Sequence, residues 1–166
     1  MPAVEEHIVR KMLDAFVKSA INVFETMAFT RLAAQAPRRK EGHWPSGYVS
    51  GSISFNSPGS ASAPAFRGTL CLVFPRPLAE RVVRSMTMLG ENDPVELEAL
   101  KDAVGELANM TTGGAKVALQ DSGINYLLGL PVVVVGDEHH LAKPPDTAAY
   151  VVPMDADGGT MFVELF

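Results

Sequence analysis

The chain has 166 residues, 47% of them hydrophobic and 20% charged, which is enough apolar sequence to bury one sizeable core. We therefore expect a single soluble domain over residues 1–166. A net charge of −5 argues against a nucleic-acid partner, because such a surface would be basic, and Arg38-Arg39-Lys40 is expected to be a short solvated loop.

The sequence also argues against a membrane partner. No apolar run approaches the roughly 20 residues that a spanning helix needs. The N-terminus, with Glu5-Glu6 and Arg10-Lys11, is too charged for a signal peptide. Cys71 is the single cysteine, so no internal disulfide can form, which is typical of a reducing compartment. We expect a cytoplasmic location.

The N-terminal segment has helical spacing, with apolar residues at Ile8, Met12, Phe16, Ala20, Phe24 and Met27. This spacing predicts a long helix that lies on a sheet. Ser19 and Asn22 in this helix stand three residues apart without a carboxylate, and we expect both at its surface. Pro37, Pro45 and Gly47 interrupt the pattern and indicate that residues 33–48 are a connection.

Two strands are predicted next, because apolar and polar residues alternate over residues 49–55 and again over residues 66–74. The residues between them, 57–65, are rich in Ser, Pro, Gly and Ala and predict a loop. A short helix is expected from Pro77, which suits a helix start, to Gly90, which suits a helix end.

A second long helix is the most informative segment. Asp93 can cap it, Pro94 suits its first turn and Glu96 completes a capping-box spacing, so the helix is predicted to begin here. At about 100° per residue, one face should pack on the core: Leu97, Leu100, Val104, Leu107, Ala108, Thr111, Ala115, Ala118 and Leu119. The opposite face carries Asp102, Glu106, Asn109 and Gly113.

Three further strands are predicted towards the C-terminus. Residues 132–135 read as a buried strand, and residues 149–154 and 161–165 as two strands joined by a hairpin turn at 155–159. The predicted fold class is thus α/β of the α+β type, with two long helices and a short helix packed on a mainly antiparallel sheet.

The polar face of the second long helix permits two interpretations. Glu106 and Asn109 are neighbours one turn apart, so both side chains can contact one external group. The same spacing also arises between ordinary solvated residues. Asn109 and the pair Gly113-Gly114 disfavour a helix, which suggests that something besides helix stability favours them. Gly113 would let a partner's backbone approach closely, or would serve a kink or close helix packing.

Other chemistries have little support. His139-His140 is the best candidate for a metal ligand pair, but adjacent residues on a strand point apart. No spacing of Cys, His and carboxylates matches a known site, so we predict no metal. The sequence contains no phosphate-binding glycine loop and no serine or cysteine hydrolase signature.

The pattern Asp102-x-x-x-Glu106-x-x-Asn109, followed by Gly113-Gly114-Ala115-Lys116, resembles the signature helix of the CheX/CheC family of CheY-phosphate phosphatases, and within it the CheX branch. Residues 21–27, 49–51, 78–90 and 130–136 resemble CheX segments in the same order, so the resemblance spans nearly the whole chain. The family often has Asn where this chain has Gly114. The second Glu-x-x-Asn expected of the CheC branch is absent from the first helix.

This resemblance implies a phosphatase that acts on the aspartyl phosphate of a CheY-like receiver. The phosphorylated receiver would bring its own Mg²⁺ and lysine, so the chain would need no cofactor of its own and would only position water. It implies that Asn109 orients this water and that Glu106 pairs with the receiver's lysine. Asp102 and Gly113 are the expected partner-binding residues.

A second hypothesis stays open at this point. The same residues would serve a catalytically idle docking module that binds receivers or other chemotaxis and switch proteins. The resemblance also implies a homodimer, in which an apolar C-terminal edge such as Met161, Val163 and Leu165 would be covered.

Overall fold

The computed structural model describes residues 6–61 and 64–166, and within them three helices pack on an antiparallel sheet. The helices are α1 (Glu6–Met27), α2 (Arg76–Thr87) and α3 (Leu97–Gln120). The strands are β1 (Ala33–Ala34), β2 (Arg38–Arg39), β3 (Gly47–Ser57), β4 (Phe66–Phe74), β5 (Leu127–Leu128), β6 (Val132–His139), β7 (Tyr150–Ala156) and β8 (Gly159–Leu165). The predicted α+β fold class is confirmed.

Two predictions from the sequence concerned the loop at residues 57–65 and membrane-spanning helices. Of the loop predicted over residues 57–65, residues 62 and 63 lie outside the described residues. Within residues 6–61 and 64–166, no helix is both long and apolar enough to cross a membrane.

Every strand pairing in the described part of the chain is antiparallel. The order is β1-β7-β8-β4-β3-β5, with β2 also beside β7 and β6 also beside β3. β8 therefore lies inside the sheet, and its Met161, Val163 and Leu165 are buried. The predicted apolar C-terminal edge is wrong, because β7 and β4 already pair with both sides of this strand. The hairpin between β7 and β8 is confirmed, with Gly158 and Gly159 at positive φ.

The opposite edge of the sheet is formed by β5 and β6, which both pair with β3. The prediction of a buried strand at residues 132–135 is wrong in part, because Val132 and Val134 are 59% and 40% exposed. Val133 and Val135 are partly buried against the core. The alternate side chains point away from the helices at the edge of the sheet, which exposes them.

The helical layer covers one face of the sheet through aromatic and small residues. Phe16 of α1 packs against Phe55 of β3, with ring centroids 5.7 Å apart, and Phe24 stacks on Phe74 of β4 at 5.9 Å. α3 lies close over β3 at Gly51. A Cβ at Gly51 would lie 2.8 Å from Val104 Cγ1 and 3.0 Å from the Val104 carbonyl oxygen, so a side chain there would displace the helix.

α3 begins at Leu97, so the predicted helix start at Asp93 is wrong. Glu96 occupies the N-cap position and makes no side-chain capping bond. The Asp93 carboxylate instead accepts a hydrogen bond from the Gly90 N–H at 2.6 Å, and its carbonyl accepts one from Arg84 Nε at 2.9 Å. Through these bonds Asp93 closes the turn after α2, and it lies outside α3.

Two further boundaries differ from the sequence pattern. α2 ends before Gly90, because Met88 takes the left-handed C-cap conformation with φ 56° that glycine usually adopts. Leu97 and Ala118, predicted on the packed face of α3, are exposed, whereas Leu119 beside Ala118 is buried.

The face of the sheet away from the helices holds a buried ion pair. Lys40, expected in a solvated loop, is buried, and its Nζ donates to the Glu164 carboxylate and to the Leu141 carbonyl, the latter at 2.6 Å. Burial raises the pKa of the Glu164 carboxyl, and the Lys40 ammonium opposes this shift. Cys71 pairs with Glu164 across the sheet and is buried, and burial raises the pKa of its thiol, which disfavours the reactive thiolate.

We expect Lys40→Met to lower the free energy of unfolding by about 3–5 kcal/mol at neutral pH, because it leaves the Glu164 carboxylate buried without its cation. The loss should shrink as the pH falls towards the ordinary carboxyl range, since protonation removes the unpaired charge. Urea denaturation at several pH values measures both effects. The double variant Lys40→Met with Glu164→Leu is the control and should recover most of the loss; equal instability of single and double variants would contradict the account.

Candidate functional site

The outward face of α3 presents the residues that the sequence pattern singles out. Asp102, Glu106 and Asn109 are exposed, and Gly113 is partly exposed. The opposite side of the helix is buried and includes Leu100, Val104, Leu107 and Thr111. The orientation predicted from the helical period is therefore confirmed.

Close packing on the sheet fixes this orientation. Val104 and Ala108 are the α3 residues nearest to Gly51, where backbone and side chain come into contact. Because successive residues of a helix turn by about 100°, Glu106, midway between these two, must point away from the sheet. The helix cannot rotate without driving a larger side chain against β3.

The polar side chains on this face are free to bind. Among the described residues, no hydrogen bond or ion pair engages the side chain of Asp102, Glu106 or Asn109, whereas Glu98 and Lys101 on the same helix form an ion pair at 3.3 Å. Residues three apart on a helix have Cβ atoms roughly 5–6 Å apart. One external group can therefore meet the Glu106 carboxylate, which accepts hydrogen bonds, and the Asn109 amide, which both donates and accepts them.

Apolar side chains flank this polar row. Val117 of α3 is 67% exposed, and Leu130, in the corner before β6, is 87% exposed. The corner lies beside α3, because a Cβ at Gly105 would stand 3.8 Å from Pro131. An exposed helix face with polar and apolar groups side by side suits contact with another protein better than enclosure of a small molecule.

Two of the hollows in the described part of the chain illustrate that concave surface lies away from this face. One of about 470 Å³ lies between α1 and β2, beside Arg10 and Tyr150. The other, of about 770 Å³, lies beside Phe29 and Arg81. Neither hollow includes a residue of the polar row.

Gly113 and Gly114 occupy different environments. A Cβ at Gly113 would meet no atom within 4 Å, so nothing in the described chain requires glycine there. A Cβ at Gly114 would overlap Ser19 Oγ of α1. Gly114, where the family often has Asn, therefore serves close packing of α3 on α1, and Gly113 leaves open surface beside Asn109.

Ser19 has a role that the sequence did not reveal. Its hydroxyl is partly buried and donates to the Thr111 carbonyl of α3 at 2.7 Å, so the expectation that it is a surface residue is wrong. Asn22 is exposed, as expected. Tyr126 was also missed: its hydroxyl, inside the core, donates to the Thr112 carbonyl at 2.9 Å. No sequence signal identifies either bond, because each joins residues that only the fold brings together.

The histidines do not converge on one point. His139 contacts Ser50 Oγ through Nε2 and the Gly136 carbonyl through Nδ1, whereas the neighbouring His140 contacts His43 at 2.8 Å. The two side chains therefore diverge as expected, although His140 lies just after the end of β6. In residues 6–61 and 64–166, no group of three or more His, Cys, Asp or Glu residues is arranged to hold a metal ion.

The fold and the site define a class: an α+β protein that presents an acid–amide pair on the outward face of one helix. The sequence profile described as chemotaxis phosphatase CheX matches residues 61–155, more than half of the chain. The chain belongs to the CheX family. Comparison with curated proteins finds no match.

Solved structures share this fold over nearly the whole chain. The chemotaxis protein CheX from Vibrio vulnificus is 32% identical with a TM-score of 0.81, covering 93% of this chain and 97% of that one. CheX from Desulfovibrio desulfuricans is 27% identical with a TM-score of 0.82, covering 94% and 98%. The CheX-CheY-BeF3-Mg²⁺ complex from Borrelia burgdorferi is 19% identical with a TM-score of 0.70, covering 93% and 96%, and shares the fold.

We expect Gly113→Ala to raise the free energy of unfolding by about 1 kcal/mol, because alanine is the better helix former and open space surrounds the position. Gly114→Ala should bring no such gain in the wild-type chain, since the new methyl group displaces Ser19 from its bond to Thr111. Urea denaturation of both variants, and of Gly114→Ala with Ser19→Ala, measures this difference. A gain from Gly114→Ala that is as large with Ser19 present as without it would contradict the assigned packing.

Proposed function

We propose that this chain accelerates hydrolysis of the aspartyl phosphate on a phosphorylated CheY-like receiver by orienting the attacking water. The observation that carries the proposal is the exposure of Glu106 and Asn109, without partners in the described chain, on one face of α3. Membership of a family described as a chemotaxis phosphatase supports the activity. The Borrelia burgdorferi complex of CheX with CheY supports a receiver as partner.

Asn109 is the water-orienting group in this proposal. An amide accepts a hydrogen bond from water through its oxygen and donates through its nitrogen, so it can hold a water in line with phosphorus without removing a proton. The gain comes from orientation, which converts an encounter with bulk water into reaction with a positioned one. The receiver supplies the Mg²⁺ and the phosphoryl group as parts of the substrate, and the chain contributes no cofactor.

Glu106 is the docking group. Its carboxylate lies one turn from Asn109 and can pair with the receiver's lysine, a contact that strengthens when the interface excludes water. Asp102, one turn further towards the start of α3, adds negative charge to the same face. Gly113, with open space around it, allows the receiver's backbone to approach beside Asn109.

A homodimer is part of the proposal, now placed at a different edge from the one the sequence suggested. β6 pairs with β3 on one side and has no strand partner on the other within the described residues. Val132, Val134 and Leu130 expose apolar surface along it. Such an edge favours pairing with a second copy, which would cover both the unpaired backbone and the valines.

A receiver substrate implies that the protein works in the cytoplasm.

We expect Asn109→Ala to lower the maximal dephosphorylation rate by about 10²-fold or more while receiver affinity stays within a few-fold, because a positioned water matters mainly in the transition state. Glu106→Ala should also weaken binding, most at low salt. Asp102→Ala should be milder than either. Single-turnover loss of phosphate from a Mg²⁺-loaded receiver, with the receiver saturated by each variant, measures the rates.

Asn22→Ala is the matched control, since it removes an exposed amide from α1 and should leave the rate unchanged. If Asn109→Ala keeps the wild-type rate at saturation, Asn109 does not orient water. A wild-type chain that binds the phosphorylated receiver without accelerating phosphate loss would instead be the docking module.

We expect sedimentation at micromolar concentration to show a dimer that Val134→Lys converts to monomer, because a charge on an apolar edge strand opposes edge-to-edge pairing. Met88→Lys is the control, since Met88 is 90% exposed and lies after α2, and it should leave the dimer intact. A wild-type monomer across this range would refute the dimer, and an unaffected Val134→Lys dimer would refute this edge as its interface.

A further inference from the structure

The turn of α3 that follows Asn109 has a low intrinsic helix propensity, and yet it is a regular part of the helix. Gly113 and Gly114 stand consecutively within the helix, and each favours the helix less than alanine does. The helix nevertheless continues to Gln120. In an α-helix the Gly113 N–H bonds to the Asn109 carbonyl, so loosening at the glycine pair would loosen the turn that begins with Asn109.

Three side-chain hydroxyls bond to backbone carbonyls in this turn or just before it. Ser19 Oγ of α1 donates to the Thr111 carbonyl at 2.7 Å. Tyr126 donates to the Thr112 carbonyl at 2.9 Å, and Thr112 Oγ1 donates to the Ala108 carbonyl at 2.7 Å. The bonds from Ser19 of α1 and Tyr126, which follows α3, come from two separate segments and both reach carbonyls between Asn109 and Gly113.

Tyr126 is held in place by packing in the core. It is 1% exposed, and its ring packs 5.0 Å from the Phe55 ring and 6.4 Å from the Phe16 ring, measured between centroids. The chain reaches it through the turn after α3, where Gly123 has φ 74° and the Ile124 N–H bonds back to the Leu119 carbonyl. Burial raises the pKa of its hydroxyl, which therefore stays protonated and donates.

The Tyr126 hydroxyl is not needed to satisfy its acceptor. The Thr112 carbonyl already accepts the ladder bond of the helix. A phenylalanine could make the same ring contacts without the cost of burying a hydroxyl. The added bond therefore fixes the position of the Thr112 carbonyl, which would have a hydrogen-bond donor without it.

We propose that Tyr126 and Ser19 are positioning residues for Asn109, which hold the glycine-containing turn of α3 so that the amide keeps one orientation towards the attacking water. This inference rests on the proposed function. Neither residue reaches the exposed face: Tyr126 acts through Thr112 and Ser19 acts through Thr111. Ser19 can do so because Gly114 leaves room for its hydroxyl.

The test measures single-turnover phosphate loss from a Mg²⁺-loaded, phosphorylated CheY-like receiver saturated with the full chain. Tyr126→Phe and Ser19→Ala should each lower the rate by about three- to tenfold, with apparent receiver affinity within twofold of wild type. Val151→Ala is the matched control, since it removes buried methyl groups on the other face of the sheet. It should lower the melting temperature and leave the rate unchanged.

A double-mutant cycle separates positioning from general stability. In the Asn109→Ala background, Tyr126→Phe should cause no further loss of rate, because the group that it positions is gone. Hydrogen exchange of the amides of residues 112–116 should accelerate in Tyr126→Phe and not in Val151→Ala.

The outcomes are distinguishable. A wild-type rate in Tyr126→Phe, or an equal fold-loss with and without Asn109, overturns the positioning role while the phosphatase stands. A wild-type chain that does not accelerate phosphate loss overturns the proposed function, and the positioning role with it.

Discussion

The contact between α3 and β3 at Gly51 is the constraint on which the site depends. Val104 reaches this glycine with both its side chain and its carbonyl, and no larger residue fits between helix and strand. This contact fixes the rotation of α3 about its axis, and that rotation determines which residues face the sheet and which face solvent. Glu106 and Asn109 owe their shared outward direction to it.

The two consecutive glycines of α3 show how one sequence feature can serve two purposes. Gly114 is required by a neighbour inside the protein, because α1 brings Ser19 into the space that a side chain would occupy. Gly113 has no such neighbour and borders the exposed acid–amide pair. The first glycine leaves open surface beside the acid–amide pair, and the second allows α1 to pack closely on α3. Just before the two glycines, the carbonyls of Thr111 and Thr112 accept hydroxyl bonds from Ser19 and Tyr126.

The two faces of the sheet differ in how their charged groups are paired. The helical face presents the polar row on α3, whose side chains are unpaired within the described chain. The other face buries Lys40 in an ion pair with Glu164, and Lys40 also donates to the Leu141 carbonyl. A group that is already paired is a poor ligand for a partner, and an unpaired exposed group is a good one. Charged residues are thus left exposed and unpaired on one face of the described chain and are paired inside it on the other.

Local patterns predicted the three helices and the five longer strands, and the helical period alone predicted that Asp102, Glu106 and Asn109 share an exposed face. The two-residue strands β1 and β2, in the predicted connection 33–48, and β5 were missed, because such short strands have no alternation to detect and form only by pairing with β7 and β3. Tertiary structure decided the rest. Asp93 lies outside the helix, where it bonds to Gly90 and Arg84. β8 is an inner strand because two other strands pair with it, and Lys40 is buried in an ion pair with Glu164. Ser19 and Tyr126 likewise gained their bonds from residues 92 and 14 positions away. Periodicity reports which side of an element is apolar, but the identity of the neighbour on that side is set by contacts distant in the chain.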